Sequence, residues 1–162
     1  MNILYAGTPN SSAEILKYLI KNNSIKVKGV ITQPDKAGKR GQKLNESPVS
    51  SIANSYDLDL FKPDRLSIKE FKKKIEILEI DFLIVVAYGK ILPRWLIELP
   101  SVSSINIHFS LLPKYRGASP IQSALLNGDK ETGITFIEMS EKLDSGNIIT
   151  AEKTKIFEDD NK

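Results

Sequence analysis

Cysteine is absent from the 162 residues, and histidine occurs once. The first absence excludes disulfides, thiolate metal sites and cysteine nucleophiles; the second excludes a multi-histidine metal centre. No metal is expected. No apolar run approaches the ~20 residues of a membrane span. The opening Met1-Asn2-Ile3-Leu4-Tyr5 runs straight into an apolar strand, without the basic and small-residue flanks of a leader. A cytoplasmic protein with no membrane partner is the expectation. Neither G-x-G-x-x-G nor G-x-x-x-x-G-K occurs, so Gly7-Thr8-Pro9-Asn10 is not a nucleotide-cradling loop of either common kind. Without G-x-S-x-G, a serine hydrolase has little support.

What is present is ordinary for one soluble domain with a real core: 41% hydrophobic and 27% charged residues. A net charge of +3 permits a nucleic-acid partner without demanding one. Strand and helix patterns alternate along the chain. Ile3-Leu4-Tyr5-Ala6 reads as a strand and Gly7-Thr8-Pro9 as a turn; a helix follows with Ile15, Leu16, Leu19 and Ile20 inward and Ser11 or Ser12 as its cap. A second strand over 27–32 ends at Gln33-Pro34-Asp35, and a helix over 48–56 leads to a short strand at 58–61. Ser67 is placed to cap a lysine-rich helix with Phe71, Ile75 and Leu78 inward. The near-continuous apolar run 81–87 predicts a central strand covered on both faces. A short helix at 95–99, a strand at 104–108, a helix at 119–126 and strands at 132–139 and 148–157, joined by a turn at 140–146, complete the reading. The alternation predicts an α/β protein: an open, mostly parallel twisted sheet with helices on both faces.

Ile105 and Ile107 alternate with Asn106 and His108, so the amide and the imidazole point to one side at the carboxyl end of their strand. That end of an open α/β sheet is where ligands bind. Two donors aimed at one oxygen stabilise charge developing there, and a histidine near neutrality moves a proton. A lone strand histidine is, however, as often a hydrogen-bonded core residue. Leu143-Asp144-Ser145-Gly146 bears on the choice: folded over the same edge, Asp144 orients the imidazole, whereas by itself Asp-Ser-Gly is ordinary turn chemistry. Lys36, Lys39, Arg40 and Lys43, spaced around Gly38 and Gly41, suit a phosphate grip or a solvated surface loop.

Asn106-Ile107-His108, followed by Ser110-Leu111-Leu112-Pro113, Arg116-Gly117 and Pro120-Ile121-Gln122, closely resembles the amino-terminal domain of the formyltetrahydrofolate-dependent formyltransferases. The likeness continues through Val85-Val86-Ala87-Tyr88-Gly89-Lys90-Ile91-Leu92-Pro93, Glu131-Thr132-Gly133-Ile134-Thr135 and Leu143-Asp144-Ser145-Gly146, blocks in the family's order across essentially the whole chain. Within the family, Ala6-Gly7-Thr8-Pro9, the basic loop, Ser47-Pro48-Val49 and Ala118-Ser119-Pro120-Ile121-Gln122 look most like the branch that formylates initiator methionyl-tRNA.

The resemblance implies a Rossmann-like formyltransferase fold. It also implies a transferase of one-carbon metabolism that serves translation initiation, passing the formyl group of 10-formyltetrahydrofolate to the α-amino group of methionine on initiator tRNA. By motif, Asn106 and His108 hold and polarise the formyl oxygen, and Asp144 sets the protonation of His108. Ser110, Leu111, Leu112 and Pro113 form the folate loop, flanked by Tyr88, Lys90, Ile91 and Leu92 and by Met139, Glu141 and Leu143. Arg40, with Lys36, Lys39 and Lys43, reaches the tRNA acceptor arm. Two departures stand out. Asn10-Ser11 replaces the acidic and aromatic pair usual after Gly-Thr-Pro, and nothing in 1–162 corresponds to the carboxyl-terminal tRNA-binding β-barrel of the complete enzymes. The chain is therefore read as the formyltransferase catalytic domain alone and as a monomer. Two further functions stay open: a sister enzyme acting on an amino-sugar nucleotide, which shares Ser-Leu-Leu-Pro and Arg-Gly, and a folate-binding fragment without full activity.

Overall fold

A computed structural model describes residues 1–35 and 45–160. Its elements in chain order are β1 (Asn2–Gly7), α1 (Asn10–Ile20), β2 (Lys26–Ile31), α2 (Pro48–Ser55), β3 (Leu60–Phe61), α3 (Lys69–Glu76), β4 (Phe82–Val86), α4 (Arg94–Ile97), β5 (Ser103–His108), α5 (Pro120–Leu126), β6 (Glu131–Glu138) and β7 (Ile148–Lys155). The strands form a seven-stranded sheet in the order β3-β2-β1-β4-β5-β6-β7. The chain packs as two compact units, Met1–Ser104 and Ile105–Lys162.

In the first unit every described strand pairing is parallel: β1 with β2, β1 with β4 and β2 with β3. Parallel neighbours need a crossover, and α1, α2 and α3 stand in the sequence where those crossovers fall. β1 lies between two neighbours and buries Ile3, Leu4, Tyr5 and Ala6 completely, which is why its sequence is an unbroken apolar run. The one polar atom this brings inside is satisfied, because the Tyr5 hydroxyl reaches the Ser12 carbonyl at 2.6 Å and the Ser12 hydroxyl at 2.8 Å.

That bond overturns one expected cap. Ser12 is not the α1 cap; the cap position is Pro9, with no side-chain hydrogen bond, and Ser12 lies buried within the helix. The Ser67 expectation fails similarly, since Ile68 holds the α3 cap position without a side-chain bond. Ser47 is a true cap, accepting from the Ser50 amide at 3.0 Å ahead of Pro48. β4 buries Leu83, Val85 and Val86, but Phe82 and Ile84 are only partly covered, so one face of this strand is drier than the other.

In the second unit the pairings are antiparallel, β5 with β6 and β6 with β7. β6 alternates strictly, burying Gly133, Thr135 and Ile137 and leaving the residues between them half-covered. β7 is exposed along its whole length. Among the described residues no helix is long and apolar enough to cross a membrane.

Candidate active site

β5 carries Asn106 and His108 two residues apart, and the β6 ladder sets Asn106 opposite Ile137 and His108 opposite Thr135. The His108 side chain is 6% exposed and that of Asp144 7%. The His108 Nε2 lies 2.9 Å from the Tyr115 carbonyl, which can only accept, so Nε2 carries a hydrogen and Nδ1 is the ring nitrogen left for chemistry. Nδ1 faces Asp144 Oδ2 at 3.7 Å, too far for a hydrogen bond and within ion-pair reach. Asn106 Nδ2 donates to Asp144 Oδ1 at 3.2 Å. A carboxylate acceptor fixes which end of the amide is the donor, and an NH2 group has a second hydrogen to give.

The carboxylate is itself held by backbone. The Gly117 N–H donates to Asp144 Oδ2 at 2.8 Å. Asp144 stands in the left-handed region at φ 47°, a conformation that aspartate tolerates better than most residues. Ser140 and Ser145 both donate to the Lys142 carbonyl at 3.0 Å, tightening the turn on which Asp144 sits. Gly146 closes it, and a Cβ there would overlap the Glu138 carbonyl of β6. Asp-Ser-Gly is thus turn chemistry and site chemistry at once.

The loop after β5 is anchored by Thr135, which is fully buried. Its hydroxyl donates to the Ser110 carbonyl at 2.6 Å and accepts from the Leu112 amide at 3.1 Å, while the Ser110 hydroxyl donates to the Lys114 carbonyl at 2.6 Å. Leu111 and Leu112 are half-buried and Pro113 is exposed. Beyond β6, Met139 is half-buried, whereas Glu141 and Leu143 are exposed. Thr135 and Gly117 stand in the motif blocks but were given no role there, and Tyr115 stands in none of them. The period of Gly133, Thr135 and Ile137 on one face of β6 was a usable signal for the first.

Tyr88, Lys90, Ile91 and Leu92 belong to the first unit. Tyr88 is buried with a hydroxyl that has no partner among the described residues, and burial pushes that phenol up to about 12. Its carbonyl accepts from Thr8 Oγ1 at 2.9 Å and Gln33 Nε2 at 2.8 Å. The Lys90 ammonium donates to the Asp64 carbonyl at 3.1 Å and the Pro63 carbonyl at 3.3 Å. Leu92 is buried, and Ile91 is 89% exposed. Lys36, Lys39, Arg40 and Lys43 lie outside the described residues.

Residues 1–162 match the family described as formyl transferase. A methionyl-tRNA formyltransferase of Mycoplasmopsis pulmonis is 46% identical over 161 residues, covering 99% of this chain and 54% of its own. Another from Kosmotoga olearia is 45% identical over 161 residues, covering 99% and 51%. The chain spans about half the length of the curated relatives it matches. The solved structure of a phosphoribosylglycinamide formyltransferase from Bacillus halodurans superimposes with a TM-score of 0.77 at 23% identity, over 99% of this chain and 83% of the other, a likeness of fold.

Proposed function

We propose that this chain, which belongs to the formyl transferase family, moves the formyl group of 10-formyltetrahydrofolate to the α-amino group of methionine carried on initiator tRNA. One observation carries the chemistry: a buried carboxylate, Asp144, binds the Asn106 amide and faces Nδ1 of His108. The names of the relatives support the acceptor.

In this reading the amine lone pair attacks the formyl carbon and the carbonyl electron pair moves onto oxygen. Asn106, held by Asp144 through one hydrogen, offers its other to that oxygen. His108 in its protonated form offers Nδ1–H beside it, so the developing charge meets two preorganised donors. An imidazolium at this place faces a carboxylate at 3.7 Å. As the intermediate collapses, the bond from carbon to N10 breaks. His108 gives its Nδ1 proton to N10 and regains one from the proton the amine gives up, with Asp144 as the counter-charge of its protonated form.

Ser110, Leu111, Leu112 and Pro113, with Met139, Glu141 and Leu143, are assigned to the folate by motif. Tyr88, Lys90, Ile91 and Leu92 are assigned as donor contacts by motif. The Lys90 ammonium already serves two carbonyls, so Lys90 is assigned through its backbone. Arg40, Lys36, Lys39 and Lys43 are assigned to the tRNA backbone on charge alone.

The test offers labelled 10-formyltetrahydrofolate together with charged initiator methionyl-tRNA or, separately, amino-sugar nucleotides, and measures donor binding alongside. Label is expected on methionyl-tRNA, with His108→Ala slower by roughly 10²-fold or more. Transfer to the amino sugar instead would overturn the acceptor, and an unimpaired His108→Ala would overturn the mechanism. Donor binding without transfer to either acceptor would confine this chain to the binding half of the reaction.

A further inference from the structure

We propose that Tyr115 and Asp129 are positioning residues for the reaction: the hydrogen bond between their side chains holds the turn whose backbone orients both His108 and Asp144. The inference rests on the function proposed above only in calling that pair catalytic; the geometry stands within the second unit alone.

The turn holds the two reacting side chains by main-chain atoms. The Tyr115 carbonyl accepts from His108 Nε2 at 2.9 Å, and two residues on, the Gly117 N–H donates to Asp144 Oδ2 at 2.8 Å. Presenting an inward carbonyl and then an inward N–H so close together takes left-handed backbone: Tyr115 has φ 55° and Gly117 φ 101°. Glycine adopts that region freely, but a bulky aromatic residue persists there only where its surroundings over-determine it.

The side chain of Tyr115 supplies that constraint. Its hydroxyl donates to Asp129 Oδ2 at 2.9 Å, a bond strengthened by the charge of its acceptor. Lys114 Nζ lies 3.5 Å from the same oxygen. The acceptor is fixed in turn by the end of α5. There the Gly128 amide bonds the Leu125 carbonyl at 3.0 Å and the Asp129 amide the Ala124 carbonyl at 3.1 Å, around Gly128 at φ 66°. The hydrogen bond to Asp129 also raises the pKa of the Tyr115 phenol, in keeping with its role as donor to a carboxylate. The end of a helix thus sets the aim of a histidine on a strand through one phenol.

His108 is the only histidine, so imidazole signals in a 15N NMR spectrum belong to it without assignment and need neither donor nor acceptor substrate. The readout is exchange of the Nε2–H with water, with backbone amides of β6 as the control. Tyr115→Phe and Asp129→Ala are each expected to speed ring exchange about tenfold, the worth of one hydrogen bond, while the β6 amides hold. Asp129→Asn, which keeps an acceptor oxygen, stays within about twofold, and the double variant Tyr115→Phe/Asp129→Ala is no faster than either single one. If Tyr115→Phe does not fold, Asp129→Ala against Asp129→Asn makes the same comparison. Ring exchange unchanged in a folded variant, or changed only in step with the β6 amides, would overturn the proposal. The predicted ring pattern in a chain without formyl transfer would keep the positioning role and count against the transfer activity proposed above instead.

Discussion

Asp144 is asked to serve three groups with two oxygens: the Asn106 amide, the Gly117 N–H and the His108 ring. Replacing it with asparagine turns one of those oxygens into a donor and leaves at least one of the three facing another N–H. Asp144→Asn is therefore expected to lower turnover by roughly 10²-fold or more. Folate affinity should stay within about threefold, since the loss falls on the transition state rather than on ground-state binding. Steady-state rates set against equilibrium binding separate the two, and equal losses in both would return Asp144 to a turn role. Asn106, His108 and Asp144 were legible in the sequence because a strand's period puts two side chains on one side and the motif supplies the third. The roles of Tyr115 and Gly117 were not, although Gly117 stands in a motif block, because what they bring to the site is a carbonyl and an N–H, groups that nearly every residue carries. Only folding distinguishes the ones that matter.

Two glycines beside the site separate the demands an element can make on its sequence. Gly146 faces the Glu138 carbonyl so closely that a Cβ must displace either β6 or the turn bearing Asp144. Gly117 has nothing among the described residues within 4 Å of its Cβ position, and its φ of 101° is what resists a side chain. Gly117→Ala is expected to fold with a loss of about 1 kcal/mol. Gly146→Ala should lose several times as much, and calorimetric melting of the two variants ranks them; the reverse order would show that the turn yields more easily than its packing implies. Element positions were largely readable from periodicity, but two details were not. Ser12 carried a cap pattern and is instead claimed by the buried Tyr5 hydroxyl, a partner no local rule can see. The antiparallel course of β6 and β7 was equally hidden, because a strand's pattern reports which face is buried and not which way its neighbour runs.

For the molecule as a whole, the two buried phenols of the first unit set a limit on the alkaline side. Burial raises both Tyr5 and Tyr88, Tyr88 to about 12 from the usual 10.0. Folding therefore favours their neutral forms. Their contribution is complete below pH 10, where the unfolded chain has yet to ionise; that of Tyr88 is lost as pH climbs from there toward 12, and that of Tyr5 at still higher pH. Urea midpoints are expected to be insensitive to these groups at neutral pH and to fall above about pH 10, less steeply in Tyr88→Phe. At neutral pH that variant should be no less stable than the parent, since the hydroxyl it removes has no partner among the described residues. The parallel arrangement of this unit also has a consequence in time. β1 pairs on one side with β2 and on the other with β4, where Ile3 meets Phe82 and Gly7 meets Val86. A ribosome adding about 5–20 residues per second needs roughly 4–16 s to cover that separation. Throughout that interval the emerging β1 has one backbone edge and a row of apolar side chains without their lasting neighbour. The seam between β1 and β4 therefore closes only after Val86 has been made, well after the strand that completes the β1–β2 seam.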